Sequence, residues 1–182
     1  QDIVYKKVSE SIDFARDLNA DEMIFLSTFL PFIKVDFYET GWVENSIKFW
    51  EKITKENNDI NISLCNTFEF NPEFLLKIID EVNSDNFKLS FDIGHALIYS
   101  QVSIYEWFKK ISSNLSTVFL HSNYREGDVH LRVHKGELFK DKEVKSVIKE
   151  LINIDIRVIS KPFENNFYKE DMEYIRSFSN KL

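Results

Sequence analysis

Two patterns of hydrophobic positions alternate along the chain. The first is a short, continuous apolar run, which is typical of a strand buried on both faces of a parallel sheet. The second is a longer segment in which apolar residues recur every three or four positions, as on one face of an amphipathic helix. The short runs lie at 23–26, 60–64, 87–91, 118–120 and 154–159, and the amphipathic segments lie at 3–18, 45–57, 72–82, 104–111, 142–152 and 169–178.

The order is one helix followed by five strand–helix units, which predicts a parallel α/β sheet with right-handed crossovers. No linker or low-complexity tract interrupts this order, so we expect a single domain over residues 1–182. The longest irregular stretches, 29–44 and 123–141, each follow a predicted strand. Because loops after strand C-termini build the functional sites of parallel α/β proteins, we expect the chemistry to lie there.

Composition narrows the class of protein. The chain is 43% hydrophobic over 182 residues, which is enough apolar material for one core. The 23 Lys and Arg residues against 30 Asp and Glu residues give a formal charge of −7, which argues against a nucleic-acid partner. No apolar run approaches the roughly 20 residues of a membrane span. A single cysteine excludes an intrachain disulfide and favours a reducing, cytoplasmic location.

The side chains suited to metal binding cluster in the middle of the chain. Four histidines and two aspartates lie at or after the ends of the third and fourth predicted strands: Asp92, His95, His121, Asp128, His130 and His134. Imidazole and carboxylate groups that converge from adjacent strand ends are typical ligands of zinc, manganese or iron. The cluster therefore predicts a divalent metal site, and the alternative is a set of surface or hydrogen-bonded histidines.

Four motifs resemble those of one family, the xylose isomerase-like TIM barrels. In that family they read D-x-G-H-A, then H-x-D-N followed by D-x-H and glycines, then E-N-T-F-E, and E-P-F on the final strand. The matching segments here are FDIGHA at 91–96, HSN at 121–123 with GDVHL at 127–131 and GEL at 136–138, LCNTFE at 64–69, and VISKPF at 158–163. Their order and spacing agree with the family over most of the chain.

The resemblance implies a TIM (β/α)8 barrel, a fold of eight strands that takes about 250 residues. The five predicted strands align with the last five of the family, so the chain corresponds to the C-terminal portion of such a barrel. An open parallel sheet would expose two edges, which is a liability. We therefore expect a preceding segment or a partner chain to complete the barrel.

The resemblance also implies a set of metal ligands. Members of the family hold one to three divalent metals at the strand ends. Asp92 and His121 match two of the four ligands of the central metal. His95, Asp128 and His130, called the trio below, match the residues that hold a separate zinc in the endonuclease IV branch.

Three positions depart from the family. Cys65 and Lys161 stand where the family has two glutamates, which ligate the central metal and serve as acid and base, and Ser27 replaces a histidine. Cys65 and Lys161 are therefore the candidate catalytic residues at these positions. A lysine there would repel a divalent ion, and we expect its ammonium to take the place of the metal and pair with Asp92. Glu164 is a candidate replacement for the missing carboxylate.

Candidate substrate contacts border the same loops. Asn66 lies in the LCNTFE motif, and Arg132 and Lys135, with Arg125, border the loop that carries the trio. Basic side chains there can receive a phosphate, and the alternative is exposed, solubilising charge. His134 replaces a family glycine and is either a fourth ligand or a solvent-facing residue.

Three interpretations of the function follow. The first is a sugar phosphate isomerase/epimerase-like protein, which uses a metal on a small sugar or sugar phosphate. The second is an inactive family member that serves as a binding or structural protein, which the replacements at Cys65, Lys161 and Ser27 favour. The third is an endonuclease IV-like phosphodiesterase, which the trio favours and the acidic charge opposes.

Overall fold

A computed structural model describes residues 2–124, 126–154, 156–163 and 167–178. Within these ranges, five parallel strands form one sheet in the order β1-β2-β3-β4-β5. The elements, in chain order, are α1 (Asp2–Asp17), β1 (Glu22–Leu26), α2 (Tyr38–Glu56), β2 (Asn61–Cys65), α3 (Glu73–Val82), β3 (Phe87–Asp92), α4 (Ile93–Tyr99), α5 (Ile104–Ile111), β4 (Leu115–Leu120), α6 (Lys142–Ile152), β5 (Arg157–Ser160) and α7 (Tyr168–Arg176). This confirms the predicted parallel α/β arrangement.

The core lies between the strands and the helices that follow them. The continuous apolar runs are buried as their pattern predicts: Leu89 and Phe91 of β3 and Leu64 of β2 are each at most 1% exposed. Phe91 stacks on Trp107 of α5, with the ring centroids 5.3 Å apart. The helices thus pack on the sheet through their apolar stripes. Because the strands are parallel, all their C-termini lie at one edge of the sheet.

The sheet curls into a half-barrel. The carboxylate of Glu22, on β1, accepts hydrogen bonds from Ser63 (2.8 Å), Ser116 (2.6 Å) and Thr117 (2.8 Å), and from the Arg157 guanidinium on β5 (3.0 Å). Adjacent strands lie about 4.8 Å apart, so the first and fifth strands of a flat sheet would be separated by about 19 Å. The Glu22–Arg157 contact spans the two ends of the sheet because the strands wrap around a common interior.

Two helices begin where the sequence did not predict them. α4 follows β3 without a loop, because the Asp92 carboxylate caps it by accepting the His95 backbone N–H at 3.1 Å. α2 begins at Tyr38, so the prediction of an irregular stretch over 29–44 is wrong in its second half. Phe29 is 1% exposed and packs against Trp42 and Phe74, whereas other apolar side chains of this segment, such as Phe37, are exposed.

In the described residues, β1 and β5 are the two edges of the sheet. Beside the β1 edge, Ile3 and Phe14 of α1 and Leu18, which directly follows this helix, are each more than 60% exposed. The expectation that a further segment or partner chain completes the barrel stays a prediction. None of the described helices combines the length and the apolar character that crossing a membrane would require.

Candidate metal centre

Four side chains converge at the C-terminal edge of the sheet. His121 follows β4 directly, His95 lies in the first turn of α4, and Asp128 and His130 lie in the loop after β4. One ligand atom from each of the four lies within 4.8 Å of the others. The sequence predicted this convergence because parallel strands end at one edge, although the residues are spread over 36 positions, from 95 to 130.

Backbone carbonyls fix the orientation of two imidazoles in the trio. The Nδ1 of His95 lies 3.1 Å from the carbonyl oxygen of Asn66, and the Nδ1 of His130 lies 2.9 Å from that of Lys161. A carbonyl oxygen can only accept, so each Nδ1 carries a proton and the neutral ring has its lone pair on Nε2. This is the arrangement in which proteins hold metal-ligating histidines.

The two Nε2 atoms face the same carboxylate. His95 Nε2 lies 3.2 Å from Asp128 Oδ2, and His130 Nε2 also lies 3.2 Å from Asp128. Two nitrogen lone pairs and a carboxylate therefore face one another. Because all three are electron-pair donors, a cation between them, either a proton or a metal ion, stabilises the arrangement. The donor set of two imidazoles and one carboxylate fits zinc.

The pKa values in the trio show how closely these groups interact. Burial lowers the pKa of His130 below its usual value, which keeps this imidazole neutral. For His95, burial also lowers the pKa, but the carboxylates of Asp128 and Asp92 outweigh that effect and raise it. The pKa of Asp128 is lowered because its histidine neighbours, His95 first, outweigh burial. Asp128 is therefore a carboxylate that is ready to bind a cation.

His121 is fully buried, and its ring nitrogens make no hydrogen bond within the described residues. Its Nε2 lies 2.8 Å from Asp92 Oδ1 but without hydrogen-bond alignment. The ring is held between Gly94, where a Cβ would lie 2.6 Å from Cδ2 and nearer still to other ring atoms, and the parallel ring of His130, 3.7 Å away. Phe163 covers the other face of His130 at 4.3 Å.

Asp92 is fully buried and forms an ion pair with Lys161, whose Nζ donates to Oδ2 at 3.1 Å. Burial alone would raise the pKa of Asp92, but His121, His95 and Lys161 outweigh it and hold the pKa below its ordinary value. The Asn66 side chain fixes the backbone of Asp92, because its Nδ2 donates to the Asp92 carbonyl at 3.0 Å and its Oδ1 accepts the Asp92 N–H at 2.7 Å. Asn66 therefore joins the ends of β2 and β3, and its contact with substrate stays a prediction.

Cys65, the last residue of β2, is fully buried. Burial, and secondarily the charge of Asp92, raises the pKa of its thiol well above the ordinary value. The side chain is thus a protonated thiol, which is a poor proton acceptor and a poor metal ligand in this state. Lys161 is half-buried at the end of β5, where its ammonium reaches the same group of residues.

The remaining basic candidates lie to one side of the cluster. The Nε of Arg132 donates to the buried carboxylate of Asp171 at 3.0 Å, and its guanidinium lies 4.2 Å from the centroid of the Phe167 ring. His134 Nδ1 lies 3.5 Å from Asp171, outside the group of four ligands. Arg132 thus connects the loop to α7, and a role in binding phosphate stays a prediction.

Lys135 is exposed on the same loop, and its contact with substrate also stays a prediction. Arg125 and Glu164, which the sequence analysis also named, lie outside the described residues.

Glu69 is a buried acid near the site that was not among the predicted site residues. It is 1% exposed, accepts the Thr67 backbone N–H at 2.7 Å and accepts a hydrogen bond from the Ser27 hydroxyl. Burial raises the pKa of Glu69 despite these hydrogen bonds. Its place at the end of the LCNTFE motif was the available signal, but its hydrogen-bond partner Ser27 lies 42 residues earlier in the chain.

Comparison with known proteins agrees with the fold. The family model for the xylose isomerase-like TIM barrel matches residues 4–178. A curated relative, the uncharacterized protein MJ1311 of Methanocaldococcus jannaschii, is 26% identical over 140 residues, which are 72% of this chain and 47% of that protein. The chain therefore spans about half the length of this curated relative.

Solved structures show the same fold. The TTHB071 protein of Thermus thermophilus, from a crystal soaked with ZnCl2, matches 93% of this chain and 66% of its own, with a TM-score of 0.72 and 15% identity. A xylose isomerase domain protein of Planctomyces limnophilus matches 97% of this chain and 64% of its own, with a TM-score of 0.71 and 17% identity. An L-ribulose 3-epimerase matches 95% of this chain and 58% of its own, with a TM-score of 0.69 and 12% identity. The chain thus belongs to the xylose isomerase-like TIM barrel family, of which it forms a five-stranded half-barrel.

Proposed function

We propose that this protein binds one divalent metal ion through the trio and acts with it on a small sugar or sugar phosphate, as an isomerase or epimerase. The observation that carries the proposal is the orientation of His95 and His130. Each imidazole gives its Nδ1 proton to a backbone carbonyl and turns Nε2 toward the Asp128 carboxylate. Zinc is the first ion to test, since this donor set suits it and a structurally similar protein was soaked with zinc.

A metal ion held there would supply a Lewis acid for the hydroxyl and carbonyl oxygens of a sugar. The protein's own groups orient the ligands: carbonyls of Asn66 and Lys161 hold two imidazoles, and Gly94 leaves space for His121. The Lys161 ammonium is half-buried beside the trio, so it can donate a hydrogen bond to a sugar oxygen. Structural neighbours that are sugar epimerases support this substrate class.

Isomerisation also requires a group that transfers a proton. Moving a proton at the carbon beside a carbonyl needs a base, and the usual glutamates are replaced by Cys65 and Lys161. The buried Cys65 is held as a thiol, and Lys161 is paired with Asp92. This observation favours a second candidate function, a sugar-binding protein that has lost the chemistry and kept the scaffold.

One experiment separates the two. The zinc-loaded protein is incubated in D2O with a panel of ketoses and ketose phosphates, and exchange of the hydrogens beside the carbonyl is followed by NMR. The isomerase proposal predicts exchange that His130→Ala abolishes. Saturable binding by calorimetry without exchange would instead support the binding protein, and neither binding nor exchange would contradict both.

A further inference from the structure

The position between Asp92 and His121, called the central position below, has a lysine ammonium beside its carboxylate. We propose that the ammonium group of Lys161 is the resident cation of this position, so that the protein holds one metal ion in the trio and none beside it. The trio half of this statement rests on the proposed function, whereas the exclusion of a second ion rests on the contacts of Lys161 alone.

Both oxygens of the Asp92 carboxylate are already engaged. Oδ2 accepts a hydrogen bond from Lys161 Nζ at 3.1 Å, and Oδ1 accepts the His95 backbone N–H at 3.1 Å. Asp92 is fully buried, so its carboxylate is shielded from bulk water. A metal ion could bind this carboxylate only by displacing the half-buried ammonium from its ion pair with the fully buried Asp92, which costs free energy.

The charges around the central position do not attract a divalent ion. The single carboxylate of Asp92 is balanced by the single ammonium of Lys161, and the thiol of Cys65 is neutral. In the trio, by contrast, the Asp128 carboxylate faces imidazole nitrogens. The two neighbouring sites thus differ in net charge, which is zero at the central position and negative at the trio, and of the two only the trio has a donor set that suits a divalent cation.

Contacts of the Lys161 backbone and side chain fix the position of its ammonium group. The Lys161 backbone N–H donates to the Leu120 carbonyl at 2.9 Å, which continues the pairing of β5 with β4. Its carbonyl holds His130, and its Nζ lies 5.0 Å from the centroid of the Phe119 ring, within cation–π range. The same residue therefore orients one ligand of the trio and fills the adjacent cation position.

The test is the number of metal equivalents, measured by elemental mass spectrometry after dialysis against zinc or manganese. The natural protein should hold one equivalent. Asp92→Asn and Lys161→Met should each retain it, because neither removes a member of the trio. The proposal would be overturned if Asp92→Asn, with Lys161 in place, held less metal than the natural protein.

A gain of binding gives the converse test. In a His130→Ala background, which disables the trio, Cys65→Glu combined with Lys161→Glu should restore about one equivalent, and adding Asp92→Asn should remove it. Lys48→Glu, on the exposed surface of α2, is the control for the change of charge. Circular dichroism checks that each variant is folded, and if the buried Cys65→Glu change prevents folding, the Asp92→Asn comparison decides.

The outcomes distinguish this inference from the proposed function. If the natural protein holds no metal but the Glu variant gains an equivalent that depends on Asp92, the function of the trio fails and the role of Lys161 stands. If the natural protein holds two equivalents and Asp92→Asn holds one, the role of Lys161 fails and the trio stands.

Discussion

Replacing Gly94 by alanine should push the His121 ring out of place. Gly94 lies in the first turn of α4, and a Cβ at this position would be 2.6 Å from His121 Cδ2 and closer still to Cε1 and Nε2. Carbon atoms in favourable contact lie about 3.5–4.0 Å apart, so the ring would have to retreat by about 1 Å or more. The ring of His130, 3.7 Å away on the other face and covered by Phe163, leaves no room for this movement.

Two opposing effects set the magnitude. Overpacking of a close-packed site typically costs about 1–3 kcal/mol. Alanine has a higher helix propensity than glycine, which raises the unfolding free energy by up to about 1 kcal/mol. The net loss of unfolding free energy should be about 1–2 kcal/mol, which is a fall in Tm of roughly 2–8 °C for a chain of this length. Because the displaced ring presses on His130, zinc affinity should fall on the order of tenfold or more.

Gly41→Ala is the matched control. Gly41 lies in α2, and a Cβ there would have nothing within 4 Å, so the same substitution should raise the unfolding free energy by about 0.5–1 kcal/mol. Thermal unfolding and zinc titration of both variants are the assays. The reasoning is refuted if Gly94→Ala is stabilised like Gly41→Ala and binds zinc as tightly as the natural protein.

Three further predictions concern stability. Glu22→Ala should lower the unfolding free energy by about 1–3 kcal/mol in urea titrations, because Arg157 and three hydroxyls lose their shared acceptor, although Arg157 keeps its pair with Asp21; a loss under about 0.5 kcal/mol would contradict a role in curling the sheet. Since burial raises the folded-state pKa of Glu69, the contribution of this residue to stability should fall as pH rises from about 4.3 through that raised pKa, and Glu69→Gln should become more stable relative to the natural protein over the same interval; a pH-independent difference would argue against this. Zinc at about 100 times its Kd should stabilise the natural protein by about 2.7 kcal/mol, an effect that chelator removes and that His130→Ala lacks in thermal scans.

The fold could be predicted because its signals are local. Each buried strand is a continuous apolar run, and each helix has its own apolar stripe, so their order and the parallel sheet follow from the sequence. The helix α4 was missed because it has only seven residues and starts with no loop after β3. The capping side chain of Asp92 was the available signal for its start.

The candidate site was predictable only where a motif carried it. The convergence of His95, Asp128 and His130 follows from strand ends that share one edge, and the structure also places Lys161 on Asp92, as expected from their charges. The orienting carbonyls, the stacking of rings and the contacts of Glu22 across 135 residues depend on how the sheet curls. No local pattern in the sequence encodes these contacts.

The metal content of the purified protein tests the central claim most directly. The protein is prepared without chelators or a histidine tag, beside His130→Ala and the control His134→Ala, whose imidazole lies outside the four-ligand group. Elemental mass spectrometry should find about one equivalent of zinc, manganese or iron in the natural protein and in the control, and none in His130→Ala. A natural protein without metal after incubation with these ions, or a His130→Ala variant that retains its full content, would contradict the account.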